Sequence, residues 1–100
     1  MADDLEITRE DGASKGRYVG RIPGKPEAEM TYSHAGATLL IIDHTEVPEA
    51  LAGLGVGKAL VLRAVEDARR DGMKIMPLCP FARAQFQKHP DWADVLRGPV

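Results

Sequence analysis

A single cysteine, Cys79, stands in the 100 residues. It leaves no partner for an internal disulfide and excludes a zinc site built on several thiolates. No metal is expected. Charge of one sign is scarce as well: 13 Lys and Arg against 15 Asp and Glu leave a net charge of −2. No bulk field therefore draws nucleic acid or an anionic membrane to the chain. Runs of apolar residues stop at four, as in Leu39-Leu40-Ile41-Ile42, where a spanning helix needs about 20. The opening Met1-Ala2-Asp3-Asp4 is acidic where a secretion signal is basic and then apolar. These absences make the cytoplasm the expected location. No repeat, linker or low-complexity segment divides the sequence, and residues 1–100 read as one domain.

What is present begins with period two. Leu5 and Ile7 alternate with polar residues up to Asp11-Gly12. Residues 17–22, 27–33 and 38–47 follow as three further strands, separated by Pro23-Gly24 and by His34-Ala35-Gly36-Ala37. The Leu39–Ile42 run puts apolar groups on both faces, so this fourth strand is expected to be central and covered on both sides. His34 reads as a turn residue.

The period then changes. Leu60, Val61, Ala64, Val65 and Ala68 mark one face of a helix, with Arg63, Glu66, Asp67, Arg69 and Arg70 on the polar side and Gly72 as its stop. A short strand over 74–78 and a helix opened by Pro80 come next. After His89-Pro90, residues 91–96 read as final turns. Phe86 and Trp92 are expected to pack them onto the sheet, with His89 as a cap. Strand, crossover helix and strand form a right-handed βαβ unit. The fold class is therefore α+β (α/β): a mixed sheet made of an antiparallel four-strand meander, a crossover helix, a parallel fifth strand and a C-terminal helix.

Gly53-Leu54-Gly55-Val56-Gly57-Lys58 sits between the fourth strand and the long helix. Glycines let backbone N–H groups approach a ligand closely, and a helix start favours an anion. Two phosphate motifs fail here. A Walker A loop finds Ala52 and Ala59 at its Gly and Ser/Thr positions, and a dinucleotide fingerprint breaks at Lys58 or Leu60. The segment reads either as a phosphate cradle or as a plain strand-to-helix turn.

Three spaced motifs carry a resemblance. His44-Thr45-Glu46-Val47-Pro48 precedes the glycine turn, Pro77-Leu78-Cys79-Pro80-Phe81 follows the next strand, and His89-Pro90 comes last. Over residues 18–95 the chain resembles the GNAT superfamily of acyl-CoA-dependent N-acetyltransferases, and within it a short NATD1-like group of similar size. The resemblance implies an N-acetyltransferase that moves an acetyl group from acetyl-CoA to an amine. It implies CoA contacts at Val47, Leu54, Gly55, Val56, Gly57 and Lys58, and a pantetheine arm between the fourth and fifth strands. Two departures stand out. Ala52 occupies the position where the family usually has Arg or Gln, and the two helices that follow the first strand in larger members are missing. The acceptor side is therefore expected to be open.

Three residues are candidates for chemistry. An amine must lose a proton to attack a thioester, and an imidazole is suited to take it near neutral pH, so His44 is the candidate base, with Glu46 on the same strand face to orient it. The bland alternative is that both simply tie strand ends together. Cys79, just before Pro80, is placed at a helix N-terminus that favours thiolate. It is expected beside the acyl group, as a transient acyl carrier or as a proton donor to the departing sulfur; otherwise it is a small buried hydrophobe. Against the enzyme stands a CoA-binding or partner-binding module without efficient turnover, or a bare structural domain. Neither the acceptor nor the oligomeric state is legible.

Overall fold

The computed structural model describes residues 4–97. Five strands lie in the order of the chain: β1 (Glu6–Asp11), β2 (Lys15–Arg21), β3 (Ala28–Ala35), β4 (Leu39–Glu46) and β5 (Lys74–Pro77). The first four form an antiparallel meander, and β5 pairs parallel to β4 after the crossover helix α1 (Val56–Asp71). A single 3-10 turn (Glu49–Leu51) leads into α1, α2 (Pro80–Lys88) follows β5, and a 3-10 segment (Pro90–Val95) closes the described chain. This is the expected α+β architecture. One strand boundary moves: His34 lies inside β3, where its Nε2 meets Asp11 Oδ1 at 2.9 Å, so it is a strand residue and not a turn residue.

Both helices cover one face of the sheet. Tyr18, Met30, Tyr32, Leu40, Ile42 and Ile75 from the strands meet Val56, Leu60, Val61, Ala64, Val65 and Ala68 of α1 in one core, which Ala82, Phe86, Trp92 and Val95 complete. Each large aliphatic side chain buried there contributes about 1.5–3 kcal/mol. Trp92 stands edge-on to Phe86 at 5.6 Å between ring centres, and His89 stacks on Trp92 at 4.0 Å while its Nδ1 meets the Gln85 carbonyl at 2.8 Å. The expected packing holds, but the His89 side chain does not cap the final turns: it precedes them and bonds α2 instead. β4 is inside the sheet, but it is not covered on both sides. Leu40 and Ile42 are buried, whereas Leu39 and Ile41 are only half-buried. The apolar run misled because, among the described residues, no second layer of helices covers that face.

Asp67 also departs from the expected polar side of α1: it is 2% exposed. Tyr18 donates to its Oδ2 at 2.8 Å, and Arg9, Arg63 and Arg70 approach its carboxylate at 3.2, 3.3 and 3.2 Å. Arg9 also donates to the Tyr32 hydroxyl at 2.8 Å, and that hydroxyl bonds Asp11. Burial, with the bond to Asp67, pushes the Tyr18 hydroxyl far above its ordinary value. Burial and the bond to Asp11 push Tyr32 up to about 12. Asp11 is held below the usual carboxylate range, first by Tyr32 and then by His34. Among the described residues no buried side-chain polar atom lacks a partner. The Tyr32 ring also fills the space over Gly16, where any side chain would collide with its hydroxyl. The bonds from Tyr18 and Arg9 to Asp67 tie α1 to β2 and β1.

Candidate active site

The site forms where β4 and β5 part. Their last paired residues are Ile42 and Pro77. Leu78 and Cys79 both donate their N–H to the Ile42 carbonyl, at 3.1 and 3.3 Å, and there the pairing ends. β4 runs on to Glu46 with β3 alone beside it, so residues 43–46 present a free edge toward the start of α2. Such a fork at the carboxyl ends of parallel strands is a common ligand crevice.

β4 carries an irregularity at this point. Tyr32 pairs with Ile42 and Thr31 pairs with His44, which leaves Asp43 as an extra residue. One extra residue shifts the alternation of every residue beyond it. His44 and Glu46 therefore join Ile41 on the open face, while Thr45 turns to the core face with Ile42. His44 and Glu46 do share a face, with Nε2 and Oε2 3.9 Å apart and side chains 65% and 72% exposed. Cys79 is 5% exposed and lies on the other side of the strand. Its sulfur caps α2 by accepting the Ala82 N–H at 3.3 Å, and it meets Thr45 Oγ1 at 3.3 Å. Thr45 is the partner that sequence reasoning missed. The signal was in the alternation, but only once the bulge is allowed for.

The glycine turn stands at the same end of the molecule. Gly53 and Gly55 hold φ of +79° and +75°, left-handed values that cost a residue with Cβ about 1–2 kcal/mol. Gly55 is the N-cap of α1 and makes no side-chain cap; its carbonyl accepts the first helical bond, from Ala59, at 3.0 Å. Among the described residues no carbonyl takes the N–H groups of Gly55, Val56, Gly57 or Lys58. The first turn holds no acidic residue, so nothing competes there with a bound anion. These features fit a phosphate-bearing ligand. Gly57 has a second reason to be glycine: a Cβ there would fall 2.5 Å from the Phe81 ring of α2. The two helix starts touch across this position, which spacing alone does not reveal. Leu54 and Val47 are half-buried against the core, and Lys58 is exposed. Ala52 is exposed at the end of the 3-10 turn, next to Gly53.

The five strands form a mixed α+β sheet that forks beside a free helix start. The model of the GCN5-related N-acetyl-transferase family matches residues 17–95, and the chain belongs to that family. The chain is also similar to a GCN5-like protein of Staphylococcus aureus, proposed to be an N-acetyltransferase, whose structure was determined in solution by NMR. The two are 34% identical, with a TM-score of 0.70, over 99% of this chain and 94% of that one. No curated protein matches the chain closely.

Proposed function

We propose that the protein transfers an acetyl group from acetyl-CoA to an amine, as the motifs resembling the NATD1-like group suggest. The observation that carries this reading is the set of unclaimed N–H groups at Gly55–Lys58 beside the fork between β4 and β5. Backbone donors with no Cβ over the left-handed glycines suit a diphosphate. Val47 and Leu54 provide apolar contact beside it. Acetyl-CoA supplies an activated acyl group when bound. From the open face, His44 takes a proton from the incoming amine, and Glu46 at 3.9 Å stabilises the resulting imidazolium. The amine nitrogen bonds to the acyl carbon as the carbon–sulfur bond breaks, with the electron pair leaving on sulfur. Of the two protons an ammonium gives up, one ends on that sulfur and the other in solvent. Cys79, bonded to Thr45 on the core side of the fork, is the proton donor this reading assigns to the departing thiolate.

Calorimetry with CoA and acetyl-CoA, followed by CoA release with a panel of amines, tests the reading. His44→Gln should lower kcat/KM by about 100-fold without changing CoA affinity. Cys79→Ser keeps an oxygen in place of the sulfur that caps α2. Its retained turnover would exclude an obligatory acyl-cysteine. Ala52 in place of the family's Arg or Gln favours a second reading, a CoA-binding module. Binding without any turnover would support that module, and no CoA binding would overturn both.

A further inference from the structure

The face of the sheet opposite the helices carries a basin of about 690 Å³, lined by Glu10, Lys15, Arg17, Thr31, Ser33 and Asp43 among others. Its charges are not all paired. Glu10 takes two bonds from Arg17, at 2.9 and 3.2 Å, and Arg17 also holds Glu29 at 2.9 Å. Arg17 thus serves both carboxylates, and Arg21 stands 3.9 Å from Glu10 as a further cation. Two charges are left. Among the described residues Lys15 has no carboxylate within 4.0 Å, and Asp43 has no cation within that distance. They stand on opposite sides of the basin, Lys15 on β2 and Asp43 on β4, with the Thr31 and Ser33 hydroxyls of β3 between them. Ser33 pairs with Lys15 on one side and with Ile41 on the other, so two strand spacings and a two-residue step along β4 separate the backbones of the outer pair, about 12 Å.

The basin also has a direction. Asp43 is the first residue beyond the last β4–β5 pair, so its end of the basin opens at the fork. Ser33 Oγ donates to Asp43 Oδ2 at 2.6 Å and holds that carboxylate over the basin. His44 follows it in the chain, on the same open face.

We propose that the acceptor is an amine with an anionic group of its own, held across this face with its nitrogen at Asp43 and its anion at Lys15. The proposal rests on the acyl-transfer reading above and names the substrate class that this reading leaves open. A neutral amine fills only the Asp43 end, and a diamine puts a second cation against Lys15. The side chains reach inward from both walls, so the fitting length is that of a dipeptide, about 7 Å, or of an ω-amino acid of similar reach.

The experiment compares amines that differ only in the anion: glycylglycine against glycylglycinamide, and 6-aminohexanoate against hexylamine, each with saturating acetyl-CoA. The anionic member should show a kcat/KM about tenfold higher, as one charge-assisted contact implies. Lys15→Glu should bring that ratio to one or below, and Asp43→Asn should weaken both members of a pair. A wild-type ratio near one, or a ratio that Lys15→Glu leaves unchanged, overturns the proposal. A readout without turnover separates it from the acyl-transfer reading. Titrating 6-aminohexanoate with and without CoA should shift the amide NMR signals of Lys15, Ser33 and Asp43. CoA binding with amine-induced shifts elsewhere, or none, refutes the basin. Basin shifts in a chain that takes no CoA refute acyl transfer and keep the anionic-amine site. Neither CoA binding nor basin shifts refutes both.

Discussion

Toward its C-terminus α1 carries Asp67, buried and bonded by Tyr18 and by Arg9, Arg63 and Arg70, and Gly72 closes the helix with its N–H on the Ala68 carbonyl. At its N-terminus the same helix leaves the N–H groups of Gly55 to Lys58 without a carbonyl among the described residues, and no side chain caps it. One end ties its buried carboxylate to four side chains of the protein, while the other leaves a row of donors for an anion. The first end fixes α1 against β1, β2 and β3. That anchoring is what lets the second end remain incomplete without fraying. Stability and ligand capture are thus separated along 16 helical residues.

The largest effect is expected at the anchored end. Asp67→Ala leaves Arg9, whose side chain is 15% exposed, facing a hole, and removes the acceptor of the Tyr18 hydroxyl. Removing one partner of a buried ion pair costs about 3 kcal/mol or more, a large part of the 5–15 kcal/mol that holds an ordinary domain together. Urea unfolding should show that loss. In the fraction that stays folded, CoA affinity should remain within about twofold of the wild type, measured by calorimetry. A tenfold weakening of CoA in a folded Asp67→Ala protein would mean that the two ends are coupled.

The ligand end is next in size. Gly55→Val forces a branched residue into a φ of +75° and places a side chain among the free donors. It should raise the CoA Kd by about 100-fold, at a stability cost of about 1–2 kcal/mol. Gly57→Val is different in kind. Its side chain collides with Phe81, so any loss of binding could come from displaced helices alone. Adding Phe81→Ala relieves the collision. If the double variant recovers its melting temperature and still binds CoA poorly, Gly57 contributes directly to the cradle. If binding returns with stability, Gly57 serves helix packing only, and the cradle is the Gly55 turn.

The sequence displays the scaffold better than the site because the two depend on different ranges of interaction. Alternation and the 3.6-residue period are local, and they place the four antiparallel strands, α1 and its stop at Gly72, and the parallel β5. The glycine turn is local too, and it falls at the helix start where its spacing put it. What stayed hidden depends on residues far apart in the chain. Asp67 looks solvated beside Arg69 and Arg70 until Tyr18, 49 positions away, closes over it. The Leu39–Ile42 run resembles a doubly covered strand because a sequence does not announce which layer is missing. His44 and Glu46 share a face as expected, yet the extra residue at Asp43 sends Thr45 to Cys79, and only strand register shows that.

The smallest expected effect is also the most discriminating for the ligand end. Ala52 ends the 3-10 turn with φ −60° and ψ 140°, its N–H engaged by the Glu49 carbonyl and its side chain exposed. Any residue tolerates that backbone, so Ala52→Arg adds a long cationic side chain without strain. It sits just ahead of Gly53 and the free N–H groups, where the guanidinium can meet an anion held at the helix start. One added hydrogen bond of this kind contributes about 0.5–1.5 kcal/mol, so the CoA Kd should fall by about 2- to 12-fold. The gain should shrink with added salt, as expected of an exposed charge contact. Stability should not change, because the substituted side chain touches none of the core. A clear loss of CoA affinity in a variant with an unaltered melting curve would show that the anion does not approach from the Ala52 side. The free N–H groups of Gly55 to Lys58 would then have to face a ligand entering from the fork alone.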